Sequence, residues 1–515
     1  MGQTTTMLYI IGILGIVQQI VCHRVHRLLP KGMNSLDSDM CTKTIEHIYH
    51  GHIAAPIPPH IIGVWTSERC ETRPGPEYIL RKYHFPNTTH FEAHQYYYED
   101  PDCTNPIYGI TARGLYSMVQ GSWIVPGGTE TDYFLTKVSL IPYTNEMARE
   151  LGARVNESCK DYAPASWQPY ESYEILQYKE IGSENGGDPD DFQVIDRDCT
   201  NKFQFTMHEL QLMRVENQRH HHTVMRELYL GDIHTDRLQR AIYRPTSYQS
   251  ALVDGGTLKC KVCNSIENSD DFYPPHLTRQ YRYKSIDLTG EWFSLNCETR
   301  PNGMFLVRRL MFSNHTSTWQ GYYYYYIDPL CREPYFTILA KGTYTRGSVS
   351  KVVHEATNFN FKVLTVHITP EDIKASNTLN NNNGEECGTR RWETGIQQDV
   401  TPTKGCRVFG ISIPFTEYEI AKVEKRKDSK TLLYLGQRPS NGASPTTPEL
   451  RPTSFQAPVV KCGHSHHRHN KNTKIKLYNV PAQTFFYDSN NCIKALISTR
   501  LLIALTISVF LLGHH

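Results

Sequence analysis

Cys70-Glu-Thr-Arg-Pro74 returns as Cys297-Glu-Thr-Arg-Pro301, and the text around it returns in the same order. Asp100-Pro-Asp-Cys103 is matched by Asp328-Pro-Leu-Cys331, Leu228-Tyr-Leu-Gly231 by Leu433-Tyr-Leu-Gly436, and Arg244-Pro-Thr-Ser-Tyr-Gln249 by Arg451-Pro-Thr-Ser-Phe-Gln456. One offset (331 − 103 = 387 − 159 = 228) serves the stretch between two cysteine positions, so it aligns without a gap. A unit this long is no solenoid repeat, which runs roughly 20–50 residues. It is large enough to bury its own core. The 515 residues are therefore read as two homologous domains, 41–261 and 262–462.

Six cysteines recur in order: Cys41, Cys70, Cys103, Cys159, Cys199 and Cys260, then Cys263, Cys297, Cys331, Cys387, Cys406 and Cys462. An even set in an exported chain points to disulfides, and six per copy predicts three bridges within each domain. The pairing stays open, since six cysteines allow fifteen connectivities. Cys260-Lys-Val-Cys263 has the spacing of a redox or zinc pair. Its members belong to different repeats, so they are read as ends of separate disulfide frameworks.

The ends carry the export signals. Residues 1–22 hold a short apolar run, Met7 to Val21, of signal-peptide length and too short to span a bilayer, with no Lys or Arg ahead of it. Residues 492–515 end in Leu501-Leu-Ile-Ala-Leu-Thr-Ile-Ser-Val-Phe-Leu-Leu512, with a small triplet, Ser489-Asn-Asn491, upstream. That pattern fits a GPI-attachment signal, and a single type I transmembrane helix is the competing reading. Either one places the body at the cell surface, outside the plasma membrane. Residues 463–491, polar and basic, read as a flexible stalk. A net charge of +2 argues against nucleic acid as a partner.

Between the cysteines the pattern is mostly strand. Phe336-Thr-Ile-Leu-Ala-Lys-Gly-Thr-Tyr344 alternates, Phe359-Asn-Phe-Lys-Val363 alternates likewise, and Gln320-Gly-Tyr-Tyr-Tyr-Tyr-Tyr326 has high strand propensity. Pro142 to Gly152 and Pro370 to Asn380 predict one short helix per copy. The expected fold is mainly β: two tandem, disulfide-stapled antiparallel barrels or strongly curved sheets.

Catalytic signatures fall short. His208-Glu209 and His354-Glu355 open like a zinc-protease motif, but Leu212 and Asn358 stand where the second histidine belongs. His220-His-His222 and the His464–His469 cluster have no counterpart in the other copy, so no metal, cofactor or enzyme activity is expected. Asn87-Thr-Thr89, Asn314-His-Thr316 and Asn156-Glu-Ser158 are N-glycosylation acceptors, the first two at matched positions. Aromatic residues offer the better lead. Trp65 and Trp292, Tyr97 and Tyr324 are candidates to line a lipid pocket, because a curved sheet of this size often encloses one.

These residues also carry a resemblance. Gly63-Val-Trp65, Cys70-Glu-Thr-Arg-Pro-Gly-Pro76, Met207-His-Glu-Leu-Gln-Leu212, Leu230-Gly-Asp-Ile-His-Thr-Asp236, Gly395-Ile-Gln-Gln-Asp-Val400 and Glu417-Tyr-Glu-Ile420 closely resemble the adenomatosis polyposis coli down-regulated protein family. The resemblance implies a membrane-anchored glycoprotein that antagonises Wnt signalling. It implies Wnt proteins, which carry a fatty acyl group, and their LDL-receptor-related co-receptor as partners. A homodimer is also allowed. Two other readings remain: an adhesive or receptor-docking ectodomain without lipid, and an extracellular hydrolase, for which no nucleophile–base set occurs in both copies.

Overall fold

The computed structural model describes residues 39–462, apart from 54, 160–165, 181–191, 201–204, 221–222, 257–259, 280–285, 382–386, 414–415 and 427–429. The signal-peptide and anchor segments, the stalk and the His464–His469 cluster lie outside the described residues. Among those residues no helix is long and apolar enough to cross a membrane.

The first repeat begins after helix α1 (Asp39–His50) and supplies β1 (Gly63–Ser67), β2 (Glu77–Phe85), β3 (His90–Tyr98), β4 (Pro106–Gly121) and β5 (Thr129–Pro142). Helix α2 (Asn145–Ser158) follows, then β6 (Leu212–His220), β7 (Thr223–Leu230) and β8 (Leu252–Asp254). Each strand pairs antiparallel with the next, including across the insertion holding α2. There β5 meets β6 at Glu130–Leu212, and β8 returns to β1 at Leu252–Ser67. The eight strands form a closed barrel.

The second repeat runs the same course. Helix α3 (Lys261–Glu267) leads to β9 (Gly290–Ser294), β10 (Met304–Ser313), β11 (Thr318–Tyr326), β12 (Pro334–Val349) and β13 (Thr357–Pro370). Helix α4 (Ile373–Asn381), β14 (Thr416–Lys425), β15 (Thr431–Leu435) and β16 (Val459–Lys461) complete it. Its ring closes through β13–β14, with Asn358 opposite Ile420, and β16–β9, with Trp292 opposite Lys461. The expected mainly β, two-domain fold is the one observed. Closure removes the unpaired edges that an open sheet of this length would expose.

Matched glycines bend the long strands. Register shifts fall at Arg113/Gly114 and at Lys341/Gly342. A Cβ on Gly114 would lie 2.1 Å from the Phe134 carbonyl oxygen, and one on Gly342 would lie 1.8 Å from that of Lys362. Only glycine admits so close a backbone, which is how a bulge sharpens strand curvature.

The family-like Cys-Glu-Thr-Arg-Pro text encodes a buried ion pair. Glu71 takes both teeth of the Arg81 guanidinium, Nε at 2.9 Å and Nη2 at 2.8 Å, and a third bond from Ser67 Oγ at 2.6 Å. Glu298 repeats the arrangement with Arg308 Nε at 2.9 Å and Ser294 Oγ at 2.6 Å. Nη2 also donates to a backbone carbonyl, Ser250 from Arg81 and Ala457 from Arg308, while Arg81 Nη1 has no hydrogen-bond partner among the described residues. Charges this deep persist because each carboxylate is paired with a guanidinium and a serine hydroxyl.

Four disulfides lie within a repeat: Cys70–Cys103, Cys159–Cys199, Cys297–Cys331 and Cys387–Cys406. The other two overturn the expected six-and-six partition. Cys260 bonds Cys263, and Cys41 bonds Cys462. Each helix packs on the barrel that precedes it around the pair of domains, not on the one its sequence leads into. Ile266 of α3 sits with Tyr78, Leu80, Tyr96 and Tyr98 of the first barrel. Ile48 of α1 sits with Phe293, Phe305, Tyr324 and Tyr326 of the second. The cysteine that ends each barrel therefore meets the helix clamped on that same barrel, and the two bonds are equivalent.

The helix expected over 142–152 spans Asn145–Ser158, and its partner expected over 370–380 spans Ile373–Asn381. Thr144 caps α2 by accepting from the Met147 N–H at 3.2 Å, and packing of Leu151 and Val155 carries the helix past Gly152. Helices α1 and α3 were not expected.

Beyond α3 the linker is latched to the first barrel by charge. His94 Nδ1 lies 3.1 Å from Asp271 and its Nε2 lies 3.4 Å from Glu92, with Arg113 and Lys82 alongside. Burial opposes a charge on His94, but Asp271 and Glu92 outweigh it and raise its pKa above the ordinary 6.5. A base whose folded pKa is raised adds stability below its unfolded value, and loses it as pH climbs through the folded one. The denaturation midpoint is therefore expected to fall as pH rises from 6 towards 8 and above, and His94→Gln should flatten that slope. An unchanged slope in the variant would refute the latch.

Candidate functional site

A cavity of about 870 Å³ runs from the interior of the second barrel into the groove where the two repeats meet. Its deep wall is apolar and comes from inward positions of successive strands: Leu310 and Phe312, Trp319, Phe336 and Ile338, Phe361 and Val366. Tyr325, Phe336 and Phe409 form one stack, with ring centroids 4.6 Å and 4.0 Å apart. Trp319 Nε1 is buried and has no hydrogen-bond partner among the described residues.

The mouth is polar. Arg300 bonds Gln456 Oε1 at 2.7 Å and Glu298 Oε2 at 2.5 Å, and Arg438 pairs with Glu417. Burial, and then the nearby Glu417, raises the pKa of Glu419 well above the usual carboxylate range. Burial also pushes the Tyr323 hydroxyl up to about 12, so it stays a donor. From the first repeat, Arg69, Thr72 and Arg73 border the same opening. Thr72 bonds Glu355 at 2.7 Å, Arg426 bonds Glu68 at 2.7 Å, and Thr235 and Ser440 exchange two bonds of 3.0 Å, so the two repeats hold this mouth jointly.

The first barrel is narrower inside, with a cavity of about 290 Å³. Two substitutions between the repeats explain the difference. Tyr83 stands where the second barrel has Leu310, and Gln95 where it has Tyr323. Both reach Glu209: the Tyr83 hydroxyl at 2.9 Å and Gln95 Nε2 at 2.9 Å. This polar bar crosses the barrel. In the second copy the matching carboxylate, Glu417, turns to Arg438 instead and the interior stays open.

Of the four pocket candidates from sequence, Tyr97 alone lines a cavity, that of the first barrel, stacked on Tyr108 at 4.4 Å. Trp65 and Trp292 are fully buried core, each donating its indole N–H at 2.7 Å to the carbonyl four residues back, Ile61 and Leu288. Tyr324 is a correction of register. Side chains alternate across a strand, so Tyr323 and Tyr325 face the cavity while Tyr324 faces α1. The position that matches Tyr97 is Tyr325, one residue further on. Glu209, Arg73, Leu310 and Arg438 were missed as site residues. The Met207–Leu212 and Cys70–Pro74 texts contained two of them, but nothing local marks an inward-pointing charge.

Asn87, Asn156 and Asn314 are all exposed, the first and last in the matched hairpin turns after β2 and β10. Among the described residues no three His, Cys, Asp or Glu side chains gather as a metal-binding group. Glu209 accepts from Tyr83 and Gln95, and Glu355 accepts from Thr72 and Lys422.

Compared with known families, residues 40–278 and 279–476 each match the model of adenomatosis polyposis coli down-regulated 1. The chain belongs to this family. Membership is consistent with a Wnt-regulating protein of the cell surface, and neither the family nor the barrel fold is enzyme-like.

Proposed function

We propose that this family member is a surface-anchored antagonist that withholds Wnt from its receptors by taking the Wnt acyl chain into the second barrel. The observation that carries the reading is the 870 Å³ cavity with its aliphatic and aromatic wall and open mouth. Its size lies in the range of small-molecule sites. Burying ~14 methylenes at about 0.8 kcal/mol each supplies on the order of 11 kcal/mol gross. Lost freedom and desolvation on binding reduce that, yet enough remains for tight capture without chemistry. The polar rim shared by the two repeats would face the Wnt polypeptide, and contact with the LDL-receptor-related co-receptor belongs to the outer surface.

Purified protein is expected to bind acylated Wnt and to bind Wnt lacking the acyl group far more weakly. Equal affinities would rule out lipid capture. A second arm transplants the bar of the first barrel with Leu310→Tyr and Tyr323→Gln, placing a hydroxyl and an amide near Glu417. Closing off wall worth about three methylenes, at about 0.8 kcal/mol each, predicts a fall in acyl-dependent affinity on the order of fiftyfold. The residual affinity for unacylated Wnt should not move.

A further inference from the structure

The two repeats treat one arginine differently. In the second, Arg300 is docked on Glu298 and Gln456. In the first, Arg81 takes both oxygens of Glu71, and the matching Arg73 is left over. Its side chain is 8% exposed, and its Nε and one Nη have no hydrogen-bond partner among the described residues. Gln249, the counterpart of Gln456, likewise keeps an unpartnered Oε1. The nearest carboxylate is Glu209 at 4.0 Å, beyond hydrogen-bond reach and already accepting from Tyr83 and Gln95.

A buried guanidinium with open N–H directions is costly unless something else accepts from it. Arg73 lines the first-barrel cavity, opposite an apolar floor of Ile110, Leu140, Leu151 and Ile175 beside the Tyr97–Tyr108 stack. Other charges around that cavity are committed. Arg240 holds Glu77 in a fork at 3.0 and 3.1 Å, Arg154 holds Glu150 at 2.7 Å, and Asp232 accepts from Tyr243, Thr246 and Ser247. Arg237, exposed at the entrance, has no carboxylate within bonding distance among the described residues. The balance left for a ligand is cationic at one end and greasy at the other.

We infer that the first barrel is a second, separate site for a single-chain amphiphile with an anionic head. The carboxylate or phosphate head accepts from Arg73, and the alkyl chain lies along the Tyr97–Tyr108 wall. At about 290 Å³ the cavity has room for one chain, not two. Arg73 also borders the mouth of the larger cavity, so a variant that fills the second barrel is needed to tell this site from acyl capture there.

Calorimetric titration of the purified full-length chain, freed of co-purified lipid, tests this with decanoate, decyl phosphate, methyl decanoate and decyltrimethylammonium. Decanoate or decyl phosphate, or both, should bind about tenfold or more tighter than the ester and the cation, and the stronger of the two names the head group. Arg73→Gln should bring the anion down to the level of the ester and leave the ester unchanged. Arg73→Lys, which keeps the charge but not the fork, should fall between them. The preference should survive Leu310→Tyr with Tyr323→Gln, which separates this site from the larger cavity. Equal binding of anion and ester by the unaltered protein, or no binding of either, overturns the inference without variants, and so does an anion preference that persists in a folded Arg73→Gln protein.

Discussion

Replacing Arg81 by methionine is expected to cost roughly 3–5 kcal/mol of stability, the usual penalty for stranding one partner of a buried ion pair. Arg81 is wholly buried and is the main partner of both Glu71 oxygens. Without it Glu71 keeps only the Ser67 hydroxyl, and Ser250 loses a donor to its carbonyl. The same change at Arg308 should cost less, because Arg300 remains on Glu298. A penalty of this size lowers Tm by roughly 6–20 °C in a barrel of this length. Pairing Arg81→Met with Glu71→Gln should restore part of the loss, since the stranded charge goes with it. Scanning calorimetry of the three variants gives the ranking. If Arg308→Met proved the more damaging, the two pairs would not be built as their hydrogen bonds suggest.

That contrast also shows what divergence after duplication did to the interior. Cys-Glu-Thr-Arg-Pro is identical in both copies, yet its arginine is docked in one and released in the other. The cause lies outside the motif, in how Arg81 and Arg308 share the carboxylate. A polar bar of Tyr83, Gln95 and Glu209 fills one barrel, while Leu310 and Tyr323 leave the other open. One scaffold thus carries two cavities of different size and chemistry. Under the two proposals made above, the chain would hold a lipidated signal and a free amphiphile at once.

Much of the fold was legible because its determinants are local. Strand alternation, the Asp-Pro turns and the doubled cysteines need no long-range information. The Asp100 carboxylate accepts from the N–H groups of Asp102, Thr104 and Asn105, and Asp328 does the same for Leu330, Arg332 and Glu333, which is why that turn text repeats. What escaped is non-local. Cys41 and Cys462 find each other only because α1 lies against the second barrel, and no spacing rule carries that. Helix α1 was there to be read: Cys41, Ile45 and Ile48 recur at helical spacing on one face, and the expected strand pattern masked it. The cavity wall needed registration to a single residue. Choosing Tyr324 over Tyr325 turned the side chain out of the barrel.

The bond between Cys41 and Cys462 should prove the most stabilising of the six. It closes 421 residues, whereas its structural equivalent, Cys260–Cys263, closes three. Constraint of the unfolded chain grows with the logarithm of the loop. It gives an upper limit near ~6 kcal/mol for the long closure and about 2 kcal/mol for the short one. The local contents are nearly the same: each bond pins one helix on a barrel that has just ended, over a patch of tyrosine and aliphatic side chains. What differs is chain connectivity. Helix α3 is tethered to its barrel by backbone whether or not the sulfurs join, while the backbone after α1 leads into the first barrel, where His52 pairs with Gln218, and not into the second. Cys41→Ser with Cys462→Ser should therefore free α1, expose Phe293, Phe305 and Tyr324, and lower Tm by at least twice as much as Cys260→Ser with Cys263→Ser. Limited proteolysis should cut near His50 in the first double variant, with no matching new cut beside Glu267 in the second. Equal shifts in Tm would mean that the helix contacts alone hold α1, and that the covalent closure around both barrels adds nothing to them.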